Sequence, residues 1–91
     1  MSLKILIPTP LRKITAEAGV VTAEPGTVDQ IIDNVDRLHP GFRARICTED
    51  GQLRRFINIY IDGEDVRFLE NLSTVVSDGA EVSIVPAIAG G

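Results

Sequence analysis

Few groups in this sequence are equipped for chemistry, and the best placed of them is not a side chain. Gly90-Gly91 follow directly on the apolar, strand-like run Val82-Ser83-Ile84-Val85-Pro86-Ala87-Ile88-Ala89. Chain ends are the usual place for fraying, but an unstructured end trails off in polar and charged residues, and this one does not. Glycine alone lets a backbone pass a channel too narrow for side chains and take any φ/ψ required there. The carboxylate of Gly91 is therefore expected to be the reacting group, with Gly90 letting the main chain lie close to another protein's catalytic atoms. A carboxylate is a poor electrophile. It needs an activated leaving group before a nucleophile can attack, and nothing in this chain supplies one.

The side chains offer less. Cys47 stands alone, without a CxxC partner, and a lone cysteine is more often inert and partly buried than reactive. His39 precedes Pro40-Gly41 at a helix end, where it suits the helix dipole better than a base without a nucleophile. The acidic pairs Glu49-Asp50 and Glu64-Asp65 lie on turns, with no metal-ligand spacing, so no metal site is expected. Asn58 and Tyr60 alternate with Ile57, Ile59 and Ile61 along one strand. Their face is either an ordinary polar exterior or, together with Phe68, a surface for docking a partner.

Composition limits the rest. Ninety-one residues make one domain with a single core. Apolar residues are 44% of the chain but aromatics only 4%, with no Trp, so Ile, Val and Leu build the core and a sheet contributes much of it. The net charge of −4 disfavours nucleic acid and anionic membranes as partners. The basic groups Arg12-Lys13, Arg43 with Arg45, and Arg54-Arg55 read as solvated faces or as contacts to an acidic partner. One cysteine excludes an internal disulfide framework and permits a reducing compartment. No apolar run reaches membrane-spanning length. The expectation is a soluble, cytoplasmic protein.

The elements that would position the terminal carboxylate can be read in order. Leu3 to Ile7 is a buried strand closed by Pro8 and Pro10. Residues 11–19 read as a loose polar connection, and Val20 to Ala23 as an antiparallel return. Thr27 and Gln30 form a capping box ahead of Val28, Ile31, Ile32, Val35 and Leu38, one apolar stripe on an amphipathic helix that Pro40-Gly41 ends. Phe42 to Ile46 suits a short helical turn packed under that helix. Phe56 to Ile61 is the clearest strand, and Asp62-Gly63 turns it back through Glu64 to Phe68. Leu69 to Val75 holds a short turn or 3-10 segment, and Glu81 to Pro86 is the last strand. The helix must bury its stripe on a sheet face. Both terminal strands are apolar enough to be central and adjacent. The expected fold is α+β, a ubiquitin-like β-grasp with a mixed four- or five-stranded sheet and one main helix across it. Residues 1–86 form the domain and residues 87–91 a flexible Gly-Gly tail. Proline cannot donate a ladder bond, so pairing should end near Pro86.

On these residues the whole chain resembles the prokaryotic ubiquitin-like sulfur carriers of the MoaD/ThiS group. The stretches Arg55 to Phe68 and Val85 to Gly91, with Ile7-Pro8-Thr9-Pro10-Leu11-Arg12, look like the branch serving cysteine biosynthesis, the CysO-type carriers. The resemblance implies a protein co-substrate rather than an enzyme. An E1-like enzyme would use ATP to adenylate Gly91, and a sulfur donor would convert the product to a thiocarboxylate. A PLP-dependent cysteine synthase would take that sulfur onto an activated serine derivative, and a metallopeptidase would release the cysteine joined after Gly91. ATP and PLP would belong to the partners, with no cofactor bound by this chain. Ile88 and Ala89 would anchor the tail in a partner groove. Within the class, the alternatives are a molybdopterin synthase small subunit or a thiamine sulfur carrier. Outside it stand a ubiquitin-like modifier joined to lysines, and a β-grasp interaction module with an incidental tail.

Overall fold

A computed structural model of the chain describes residues 2–86. Strand β1 (Leu3–Leu6) turns Leu3 and Ile5 into the core, and β2 (Val20–Ala23) returns antiparallel to it with Leu6 opposite Val20. The connection between them is tighter than its polar sequence suggests. It contains a 3-10 turn over Thr9–Leu11, and Leu11 and Thr15 are buried. The Ile7 N–H donates to the Gly19 carbonyl at 2.8 Å, Arg12 Nε donates to the Ile7 carbonyl at 3.1 Å, and the Thr15 hydroxyl donates to the Ala18 carbonyl at 3.0 Å. These bonds satisfy buried backbone groups that a loose loop would leave to water.

A two-residue strand, β3 (Gly26–Thr27), leads into helix α1 (Val28–Leu38). The capping box forms as its residues require. Gln30 N–H donates to Thr27 Oγ1 at 3.2 Å, and Thr27 N–H donates to Gln30 Oε1 at 2.9 Å. Val28, Ile31, Ile32 and Val35 are buried, but Leu38 is 69% exposed, against the expectation that it completes the stripe. At 3.6 residues per turn it falls about 80° from Val28, on the border of the stripe, at the helix's last residue. Asp36 Oδ1 accepts from the N–H groups of Gly41 and Arg43 at 3.2 and 3.0 Å, which pins the start of α2 (Phe42–Ile46) to α1. Phe42 and Ile46 are fully buried as the sequence predicts.

Strand β4 (Ile57–Ile61) and β5 (Glu64–Asp65) form the expected hairpin, with Asp62 and Gly63 both at positive φ (49° and 91°). The two-residue β6 (Val75–Val76) and the six-residue β7 (Glu81–Pro86) complete the list. The main sheet has the order β2-β1-β7-β4-β5, with β1 and β7 parallel and the other pairs antiparallel. This is the mixed five-stranded β-grasp sheet, its core of Ile, Val and Leu lying between the sheet and α1. Two details depart from expectation. The strand after the hairpin stops at Asp65 instead of running to Phe68, because the Asp65 carboxylate accepts the Arg67 N–H at 2.9 Å and turns Val66–Phe68 into a 3-10 turn that buries Val66. Strands β3 and β6 also pair as a separate ribbon, Gly26 opposite Val76 and Thr27 opposite Val75.

Candidate functional site

The site is built from the end of β7. Val82 and Ile84 point into the core, and the strand pairs with β1 through Val82 opposite Ile5 and Ser83 opposite Leu6. On its other side it pairs with β4 along its length, as far as Pro86 opposite Ile57. The described pairing thus reaches Pro86, whose nitrogen has no hydrogen to donate. The carboxylate of Gly91, with Gly90, Ala89 and Ile88, lies outside the described residues, as does the expected tail 87–91. What the structure fixes is the scaffold that holds the strand leading to them.

The sheet face away from α1 carries the other candidates. Tyr60 lies opposite Ser83, and Asn58 opposite Val85. Tyr60 is half-buried, and Phe68, at the end of its 3-10 turn, is 87% exposed. Asn58 is already engaged. Its Oδ1 accepts from Arg67 Nη1 at 2.6 Å, while Arg67 Nη2 donates to the carbonyls of Ile57 and Arg54 at 2.8 and 2.9 Å. The guanidinium clamps the Val66–Phe68 turn across β4. Sequence reasoning missed Arg67, which sits beside Phe68 in the same run but shows its role only once the hairpin brings it to Asn58.

Cys47 is buried at the C-cap of α2. Burial pushes its thiol above the ordinary value. The Arg43 guanidinium, 4.0 Å from Sγ, pulls the other way and does not win. Arg43 is itself committed to Asp29 and Asp33 at 3.0 and 3.3 Å; burial opposes its charge, but these carboxylates raise its pKa further. Cys47 is therefore a protonated core residue and no nucleophile. Among the described residues no group of three or more His, Cys, Asp or Glu could hold a metal, and no helix is long and apolar enough to cross a membrane.

Residues 5–91 match the ThiS family, a span that reaches through Gly90-Gly91. The chain belongs to the ThiS family. The sulfur carrier protein CysO of Mycobacterium tuberculosis is 39% identical to it, with all of both chains covered. A putative sulfur carrier protein of Archaeoglobus fulgidus is 37% identical, again over the full length of both. Among solved structures, the BexX/CysO complex of Amycolatopsis orientalis contains a chain that superimposes with a TM-score of 0.92 at 45% identity, over 98% of this chain and 99% of that one. The ThiS-family chain is thus a sulfur carrier protein with the β-grasp fold. The complex shows that a relative in this family engages a protein partner.

Proposed function

We propose that the Gly91 carboxylate carries sulfur for cysteine biosynthesis. Full-length identity to CysO, through a family match ending at Gly91, carries this reading. An E1-like enzyme joins the carboxylate to the α-phosphate of ATP and releases pyrophosphate, giving an acyl-adenylate. Sulfide delivered by a sulfur donor attacks the acyl carbon, AMP leaves, and a thiocarboxylate remains. The thiocarboxylate sulfur then displaces the leaving group of an activated serine derivative on a PLP-dependent cysteine synthase. The resulting thioester passes its acyl group to the amino nitrogen, leaving cysteine in peptide linkage after Gly91 for a metallopeptidase to hydrolyse. ATP and PLP reside on those enzymes.

The scaffold supports this division of labour. Five residues follow Pro86 and reach at most about 17 Å at roughly 3.3–3.6 Å each, enough to thread an active site while the domain stays outside. Ile88 and Ala89 would be gripped in the groove as an added extended segment. Phe68 and Tyr60 would dock the domain, with Asn58 acting through Arg67 to hold Phe68 in place. Intact-mass measurement after incubation with ATP, the E1-like enzyme and a sulfur donor tests the first stage. Oxygen-for-sulfur exchange is expected in the full chain and none in a chain lacking Gly90-Gly91. Feeding the thiocarboxylate to the synthase with activated serine should then give the cysteine adduct. A loaded carrier that an active synthase ignores would sink the cysteine assignment.

A further inference from the structure

Beside the end of β7 lies a groove of about 390 Å³ whose floor is Phe56, Ile57 and Pro86 and whose walls include Arg45, Arg54 and Arg55. The chain has 13 acidic and 9 basic residues, yet among the described residues lining this groove none is a carboxylate. The arginines differ in their commitments. Arg54 donates through Nε and Nη2 to the Ala44 carbonyl at 3.2 and 2.9 Å, a structural bond at the end of α2. Arg45 and Arg55 are exposed, and their side chains have no hydrogen-bonding or ion-pairing partner among the described residues. Phe56, next to Arg55 in sequence, is 53% exposed and lines the same groove. Two cations unpaired among the described residues share this groove with an exposed aromatic ring and form a positive field in an otherwise acidic protein.

We propose that this groove receives an acidic rim, with an apolar side chain at its centre, on the enzyme that adenylates Gly91. The inference rests on the function proposed above and adds the surface that selects the enzyme. Reach argues for the occupant. An enzyme acting on Gly91 must place its catalytic centre within about 17 Å of Pro86, so its body faces the ground around Pro86. That ground is positive and apolar, and only a negative partner surface with an apolar knob complements it. Exposed charges of this kind act chiefly on the rate of encounter and on selecting against wrong partners, and salt screens them.

The test is the steady-state rate of ATP–pyrophosphate exchange by the E1-like enzyme, with the full-length carrier as the varied substrate across a salt series. The Arg45→Glu/Arg55→Glu carrier should show a carrier KM raised about tenfold or more at low salt with kcat little changed. Its kcat/KM should no longer fall with added salt as the parent's does. Lys13→Glu/Arg37→Glu makes the same change in net charge away from the groove and should behave as the parent. Arg45→Gln/Arg55→Gln, with circular dichroism on every variant, separates a charge effect from damage to α2. A parent carrier that is adenylated while the groove variants match it in KM and salt dependence overturns the inference and leaves the function standing. Equal losses in the Lys13/Arg37 variant also overturn it, since net charge alone would then be responsible. A parent that is not adenylated at all removes both.

Discussion

Cys47 is the side chain a sulfur chemist would try first, and its surroundings argue against it. The thiol is buried and held protonated, and its neighbouring cation is spoken for by two aspartates. Cys47→Ala should accept sulfur from the activating system as completely as the parent by intact mass, while losing ~1 kcal/mol of stability from the small void. The raised pKa also predicts a pH dependence. Below the ordinary thiol value of 9.0 both folded and unfolded chains keep the proton, and this group's contribution to stability is whole. As pH rises past that value the unfolded chain releases the proton and the folded one keeps it, so stability falls. Melting curves between about pH 8 and pH 10, on the order of one unit either side of the thiol transition, should show a decline that Cys47→Ala lessens.

Arg67 shows how much of an element depends on one guanidinium. It bonds the Asn58 side chain and two main-chain carbonyls, and its own N–H is capped by Asp65. Arg67→Gln should lose roughly 1–3 kcal/mol in chemical denaturation, because bonds to a charged donor are lost at a partly buried site. Phe68→Ala, one residue on, should change stability by less than about 0.5 kcal/mol, since the ring is exposed, while weakening capture by a partner enzyme. A partner KM unmoved by Phe68→Ala would remove Phe68 from the docking surface. The contrast explains what could be read without coordinates. Helix α1 announced itself through a 3.6-residue stripe and a capping box, and β4 through alternating isoleucines, because both are local patterns. The terminal strands could be placed together because Leu, Ile and Val dominate both, which favours neighbours on both sides. The β3–β6 ribbon is two residues wide and carries no period. The premature end of β5 is written in an Asp65 side-chain bond that competes with the ladder. The Arg67–Asn58 pair joins residues nine apart that meet only after the hairpin closes. The carboxylate proposed to react was singled out from composition, two glycines after an apolar run, whereas the arginine-lined groove beside Pro86 needed α2 and β4 brought together.

At the scale of the whole molecule, β7 is the spine of the sheet. It joins β1–β2 to β4–β5, and the two halves share no other strand pairing in that sheet. A chain ending at Pro86 should melt cooperatively at the parent's midpoint by circular dichroism, because every described ladder partner is retained. A chain ending at Val82 leaves the greater part of β4 without its partner, exposes two sheet edges and removes Ile84 from the core, and it should show no cooperative transition. A cooperative melt of that shorter chain would show that the halves hold together without the spine. The parallel pairing of β1 and β7 has a practical corollary. Both strands start at one pole, where the Gly79 N–H donates to the Ser2 carbonyl at 3.1 Å, and β7 ends at the other, roughly 17 Å away at about 3.3 Å per residue. Molecules tethered to a bead or sensor chip through the amino end would therefore stand like bristles, all turning the same pole outward to whatever flows past.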